Sequence, residues 1–388
     1  MWLSKNQADE LVAEHGSPLF VYSRKLLRAR ADELMALKLP YGHTVRYAAK
    51  TNPHMDMIKL LADRGLSFDA SSSYEASELL AYGIPGEKIS LSTQQSAHNL
   101  PELLQAGVKY VATSMNQLEQ FAAASKRGDR VALRVNPPTG YGYNNRLTTA
   151  GRNSSFGLWH EHLEKALHFA ESKNIIVDRV HIHVGTGAEP SAWAHVMEMA
   201  LTIVRRMPDV TTLDIGGGYK IAYTDTETET DMKLVARVFA DKLRAFADET
   251  GRQLKLEIEP GRWLVAHAGI LLSTVDDIVD TGEDGHTFLR LNTGMNDIIR
   301  PAMYGAQHKI EILNEVNEQA EYVVVGHNCE TSDVLTTAPG DPESIEPRQM
   351  NKARIGDIAA IADAGAYCAS FSTKGYNSFP SAKEVFVD

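Results

Sequence analysis

Eight short apolar segments alternating with longer amphipathic ones predict an α/β fold built on a TIM (β/α)8 barrel. Two further observations shape the prediction. No Gly-x-Gly-x-x-Gly follows the first strand, which argues against an open doubly wound sheet. Beyond about residue 262 the helical patterns thin out and strand-like segments follow one another, as in a second, mostly β domain. The barrel is therefore expected over residues 24–262. The C-terminal mostly-β domain is expected over 263–388 and takes in the N-terminal strand within 1–23.

The elements follow in order. The opening run Leu19-Phe20-Val21-Tyr22 is strand-like and precedes the first barrel unit, so it is expected to pair into the β domain. Barrel strands are predicted at 45–49, 67–70, 89–91, 110–113, 131–136, 180–184, 212–215 and 256–259. Helices are predicted at 55–64, 73–82, 97–105, 115–124, 163–171, 192–206 and 232–249, where apolar residues recur at spacings of three and four. The stretch 137–153, rich in Gly, Asn and Pro, reads as a loop, and so does 340–350. Strands of the β domain are predicted at 265–275, 287–291, 321–325 and 357–361.

Composition narrows the partners. The chain has 388 residues, 39 of them basic and 50 acidic, for a formal net charge of −11, which argues against a general nucleic-acid binder. No apolar stretch approaches the roughly 20 residues of a membrane span. The start, Met1-Trp2-Leu3-Ser4-Lys5, lacks the apolar segment of a secretory signal. Two cysteines, Cys329 and Cys368, make no disulfide framework, so a reducing cytoplasm is expected.

Barrel enzymes carry their chemistry at the C-terminal ends of the strands. Lys50 ends the run Thr44-Val45-Arg46-Tyr47-Ala48-Ala49, and Pro53 stops the ladder just beyond it. An amine at a buried strand end is costly unless paired or neutral, and such lysines suit Schiff-base chemistry. The other strand ends present Asp69, Arg134, His183, the glycines of Asp214-Ile215-Gly216-Gly217-Gly218, and Glu259 before Pro260-Gly261-Arg262. This set suits pyridoxal 5'-phosphate, with no metal. The lysine can hold the aldehyde, Gly-rich loops can cradle the phosphate, and a carboxylate can keep the pyridine nitrogen protonated. A flat imidazole can stack on the ring. Singly, each residue also has a plainer explanation. Three glycines mark turns, His181 and His183 share one face and fit a packed core, and Glu257 or Glu259 could serve a helix N-terminus.

Taken together, these motifs resemble the fold-type III pyridoxal-phosphate decarboxylases, of the alanine-racemase and ornithine-decarboxylase superfamily, and within it the diaminopimelate decarboxylases. The likeness runs from Pro18-Leu19-Phe20 to Tyr376-Asn377-Ser378. Tyr47-Ala48-Ala49-Lys50-Thr51-Asn52 resembles the cofactor-lysine segment. His183-Val184-Gly185-Thr186-Gly187 resembles the segment whose histidine stacks on the ring and whose hydroxyl faces the phosphate. Glu259-Pro260-Gly261-Arg262 is similar to the segment that supplies the pyridine-nitrogen carboxylate. Arg300-Pro301-Ala302-Met303-Tyr304, Cys329-Glu330-Thr331-Ser332-Asp333 and Asp363-Ala364-Gly365-Ala366-Tyr367 resemble the substrate-carboxylate, cysteine and tyrosine segments.

The resemblance implies decarboxylation of meso-2,6-diaminopimelate to L-lysine by a homodimer with shared active sites. Lys50, His183 and Cys329 would form the catalytic set, with Cys329 as proton donor. Cofactor contacts would come from Lys50, Asp69, Arg134, His183, Thr186, Gly217, Gly218, Glu259, Gly261, Arg262 and Tyr367. Substrate contacts would come from Arg262, Arg300, Tyr304, Glu330 and Tyr367. Cys329 and Glu330 would serve the partner's barrel. The residue types agree: an acid suits a distal ammonium and an arginine fork suits a distal carboxylate. Arg300 could instead form a structural ion pair in the β domain. The alternatives are a decarboxylase of ornithine, lysine or arginine, a non-catalytic regulatory homologue, and a racemase. Three positions depart from the family pattern: Phe379 stands where Arg is usual, Thr186 where Ser is usual, and Gly326-His327-Asn328 replaces the usual Gly-Pro before the cysteine.

Overall fold

The computed structural model describes residues 1–140 and 150–388, so part of the predicted loop 137–153 lies outside the described residues. The chain forms two compact units. One gathers 28–221 and 228–264, and the other gathers 1–27, 222–227 and 265–388.

The first unit is the barrel. Its eight strands are His43–Ala48, Ser67–Ala70, Ile89–Ser92, Lys109–Ala112, Arg130–Asn136, Ile176–His181, Thr212–Asp214 and Lys255–Ile258. Each pairs in parallel with the next, and the eighth closes on the first through Leu256↔His43, Glu257↔Thr44 and Ile258↔Val45. The strands are buried on both faces, as parallel sheets require, so their apolar runs are nearly continuous. The helices between them are capped by their own sequence. Ser72 and Ser114 accept the N–H groups of Glu75 and Gln117, and Asp231 caps Met232–Thr250, which stops at left-handed Gly251. In that last helix Val235, Phe239, Leu243 and Phe246 form the buried stripe.

A layer of charge crosses the barrel interior. Arg46 grips Glu257 with two hydrogen bonds of 2.8 Å, and Arg179 donates to the same carboxylate at 2.7 Å and to Ser90 at 2.8 Å. Burial pushes the Glu257 carboxyl up, but Arg179 and Arg46 outweigh it and hold the group well below the usual carboxylate range. Glu257 is therefore a structural anchor of the barrel core and caps no helix.

Three barrel details differ from the sequence reading. The first strand ends at Ala48, and Lys50 stands exposed in a 3-10 turn over Ala49–Thr51, because the ladder stops where the chain tightens before Pro53. The sixth strand ends at His181, so His183 lies in the following loop. The helix predicted at 97–105 starts at Leu100, since Pro101 favours the first helical turn.

The second unit is mostly β. Leu19–Ser23 runs antiparallel to Gly269–Asp280 and parallel to Lys383–Val387, so both chain ends join one sheet. The sheet continues through Ile358–Ile361 and Ile310–Ile312 on one side, and through Thr287–Leu291, Gln319–Val325 and Arg348–Asn351 on the other. Its core packs Leu3, Ala8, Leu19, Val21, Ile270, Leu272 and Ile358. The expected strand at 265–275 begins only at Gly269, because Arg262–Val265 and Ala266–Ala268 form helical turns first. The segment 340–350 is no loop. Asp341–Ile345 pairs with Thr337–Ala338, and Arg348–Asn351 pairs with Gln319–Val325. Asp341–Ile345 is polar, exposed and carries a proline, all of which hide an edge strand from a hydrophobic pattern. No described helix is long and apolar enough to cross a membrane.

Candidate active site

The C-terminal mouth of the barrel gathers most of the predicted residues of that unit. Lys50 Nζ donates to Ser71 Oγ at 3.1 Å, and Ser71 lies two residues past Asp69 at the end of the second strand. Asp69 is buried, and its Oδ1 has no hydrogen-bond partner among the described residues. Burial raises its carboxyl well above the usual range, Glu259 adds to the rise, and Lys50 and Arg134 oppose it. Arg134 projects from the fifth strand with its guanidinium 4.9 Å from the Phe156 ring centre.

The glycine run is locked to its neighbours. Gly217 N–H donates to His183 Nδ1 at 3.1 Å, and Gly216 N–H donates to Asp214 Oδ1 at 2.9 Å. A Cβ at Gly216 would lie 2.5 Å from His183 Nδ1, and one at Gly217 would lie 2.3 Å from the Glu259 carbonyl oxygen. Only glycine permits this approach, and Gly216 also needs the left-handed φ of 69°. The loop after the sixth strand is laced to the same run through Gly187 N–H to the Gly218 carbonyl at 3.0 Å. The run thus brings the imidazole, the carboxylate and the Gly-rich loop into one cluster.

Electrostatics divide the labour. Burial lowers His183 to about 3, helped by the Arg134 guanidinium, so the ring is neutral; its Nδ1 accepts and its Nε2 carries the proton. His181 Nε2 stands 3.4 Å from Glu259 Oε2. Burial also lowers His181, with Glu259 opposing. Burial pushes Glu259 up, but the pull of His181, His183 and Lys50 leaves it below the usual range. The largest pull comes from His181, 3.4 Å away, and Glu259 is held as an anion. Thr186 is half-buried in the loop beyond His183, and Gly261 and Arg262 lead from Glu259 into a short helix.

Arg300, Tyr304, Cys329, Glu330 and Tyr367 belong to the β unit. Arg300 is only 4% exposed. Its Nη1 donates to His308 Nε2 at 2.7 Å, while His308 Nδ1 meets the Ala362 carbonyl at 2.8 Å, which fixes the His308 tautomer. Its guanidinium lies 4.5 Å from the Tyr223 ring centre, and Tyr223 clusters with this unit. Among the described residues of the unit no carboxylate pairs with Arg300, which removes the structural ion pair as an explanation. Tyr304 is half-buried at the end of the short helix Arg300–Tyr304. Cys329 and Glu330 are exposed on a loop. Glu330 accepts from Ser332, Thr331 and Tyr376, all neutral donors. Tyr367 holds a left-handed φ of 56°, an uncommon strain for a bulky residue.

Sequence reasoning missed Ser71, His308, Tyr223, Tyr376 and Asn377, the side chains that hold the predicted ones. Ser71 carried a signal, since it follows a strand-end carboxylate by two residues. Tyr376 and Asn377 stand in a segment of the family likeness to which no role was given, and His308 and Tyr223 come from distant segments and carried no signal.

A family model described as pyridoxal-dependent decarboxylase, pyridoxal binding domain, matches residues 26–266. The chain belongs to the pyridoxal-dependent decarboxylases. Among its relatives are the diaminopimelate decarboxylases of Streptomyces coelicolor and Escherichia coli K12. Both are 31% identical; each alignment covers 97% of this chain and 86% and 90% of the relatives respectively. A crystal structure of diaminopimelate decarboxylase superposes with a TM-score of 0.90 at 30% identity, covering 99% of this chain and 92% of the other. The M. jannaschii diaminopimelate decarboxylase in complex with L-lysine superposes with a TM-score of 0.87 at 26% identity, covering 98% and 89%.

Proposed function

We propose that this protein decarboxylates meso-2,6-diaminopimelate to L-lysine. One observation carries the reading to this substrate. The β unit offers a buried arginine without a carboxylate partner and an acid with only neutral donors. Those are complementary halves of a site for a zwitterionic carbon. A substrate with a lone distal ammonium would leave Arg300 unused. Relatives named for this activity support the same substrate.

The barrel mouth fits pyridoxal phosphate. The glycine run packs against His183, Glu259 and Gly185 at distances that no Cβ would allow, and the Oδ1 of buried Asp69 has no hydrogen-bond partner among the described residues. When bound, the cofactor supplies an electron sink for the pair released as the Cα–carboxylate bond breaks. Lys50 would hold it covalently through its amine. Ionised Glu259 would accept the pyridine N–H. Neutral His183 would face the ring, and Gly217, Gly218, Gly261, Arg262, Thr186 and Tyr367 would hold the phosphate. Asp69 and Arg134 would line the same mouth. Cys329 would supply a proton to the substrate carbon that loses carbon dioxide. Glu330 would take the distal ammonium, and Arg300 with Tyr304 the distal carboxylate.

The reading includes a cytoplasmic homodimer in which Cys329 and Glu330 of one protomer serve the barrel of its partner. The test is to incubate the purified protein with meso-diaminopimelate, ornithine, lysine and arginine. Carbon dioxide and L-lysine should form from the first far faster than carbon dioxide from the rest. Faster release from ornithine or arginine would replace the substrate. Borohydride reduction and peptide mapping should mark Lys50, and a mark on another lysine would reassign the cofactor residue.

A further inference from the structure

His327 and Phe379 are distant in sequence, and the fold brings them together. The Phe379 ring lies on the His327 ring with centroids 3.6 Å apart and planes 7° from parallel. The same C-terminal turn reaches the cysteine loop twice more. Asn377 Oδ1 accepts the Cys329 N–H at 2.8 Å, and the Tyr376 hydroxyl donates to Glu330 Oε2 at 3.4 Å. The other edge of His327 is fixed as well, with Nε2 at 2.9 Å from Asn296 Oδ1. Asn377 and Ser378 hold left-handed φ values of 48° and 62°, conformations that persist in such residues only where the surroundings dictate them.

We infer that His327 and Phe379 are specificity-positioning residues, whose stack clamps the turn 376–379 onto the loop 327–330 and fixes the placement of Cys329 and Glu330. Phe379 supplies the hold by stacking and brings no cation to compete for the Glu330 carboxylate. The clamp itself is read from contacts within one unit; its effect on substrate rests on the function proposed above.

The test compares the holoenzyme with Phe379→Ala, Phe379→Trp, His327→Ala and the double alanine variant. Hydrogen exchange is followed at the Cys329 amide, whose bond to Asn377 reports the clamp directly, and kinetics are measured on meso-diaminopimelate. Phe379→Ala should speed exchange there, and raise KM, by roughly three- to tenfold, the scale of one aromatic pair. Phe379→Trp should stay near the parent in both. Adding His327→Ala to Phe379→Ala should change little, because the two act through each other. Unchanged exchange in Phe379→Ala, or fully additive alanine effects, would overturn the clamp. Faster exchange with an unchanged KM would overturn the positioning role. Should the parent not turn over meso-diaminopimelate, the substrate reading fails and the exchange result alone decides the clamp.

Discussion

Gly217 donates its backbone N–H to His183 Nδ1 at 3.1 Å. The bond occupies the lone pair that a proton would take. Burial and the Arg134 guanidinium act in the same direction and lower the ring from 6.5 to about 3. His183 is thus a neutral, oriented plate at working pH, suited to stacking and unsuited to acid catalysis.

That neutrality has a cost in acid. His183 binds its proton less readily when folded than when unfolded. Its contribution to stability is therefore complete above pH 6.5 and shrinks as pH falls toward the folded value of about 3. Between pH 7 and pH 5 the loss should approach about 2 kcal/mol, at about 1.4 kcal/mol per pH unit below the unfolded value. Urea unfolding of the cofactor-free protein at both pH values, beside His183→Gln, isolates the effect. The parent should lose more stability than the variant by about that amount. Equal losses would mean that the ring takes its proton as readily in the fold as in the unfolded chain.

The Arg46–Glu257–Arg179 layer carries the barrel interior. Glu257 is buried and makes three hydrogen bonds of 2.7 to 2.8 Å to the two guanidinium groups. Glu257→Gln would take the acid from buried Arg46 and leave Arg179 only Asp214 at 3.9 Å, which should cost about 3–5 kcal/mol. Because the folded carboxyl is depressed, the stabilisation is present at neutral pH and fades only as pH falls below the ordinary carboxylate value toward the folded one. Denaturant midpoints at pH 7 should show the loss, and an unchanged midpoint would mean that the layer contributes nothing net.

The barrel was legible because its rhythm is local: strand, amphipathic helix, strand. The strand ends then exposed Lys50, Asp69, Arg134, His183 and Glu259 as a group. What stayed hidden depends on distant partners. Lys383–Val387 becomes a strand by pairing with Leu19–Ser23, and nothing near residue 383 announces it. The helix Lys5–His15 did carry a local signal, the reciprocal capping box of Ser4 and Gln7, but its apolar stripe is too sparse to stand out. Glu257 and Glu259 were indistinguishable by alternation, since only the position of Arg46 and Arg179 across the barrel assigns Glu257 to the core.

Arg300 should select the distal carboxylate. It is held by His308 and Tyr223 and lacks an acidic partner in its unit, so its removal breaks no ion pair there. Arg300→Ala should lower kcat/KM on diaminopimelate by about 2–5 kcal/mol, tens to thousands of fold. Slow turnover of lysine, which lacks that carboxylate, should change little. Arg300→Lys should recover only part, because a point charge cannot match a bidentate fork. Parent-like activity of Arg300→Ala on diaminopimelate would rule the role out.

Active sites shared between protomers make a sharper demand. Lys50 lies at the mouth of the barrel unit, whereas Cys329 lies on a loop of the β unit with its amide pinned by Asn377. Lys50→Ala and Cys329→Ala homodimers should each be nearly inactive, since every site in them lacks one of the two groups. Mixed under conditions that exchange subunits, they should form heterodimers. One site then combines the intact lysine of one chain with the intact cysteine of the other, and the second site is doubly damaged. In a random mixture about half the dimers are heterodimers, so about a quarter of parental activity should return if sites act independently. Tagged chains show by mass spectrometry whether exchange has occurred. Exchange without any recovery would assign both residues to the site of their own chain and remove the functional basis for the dimer.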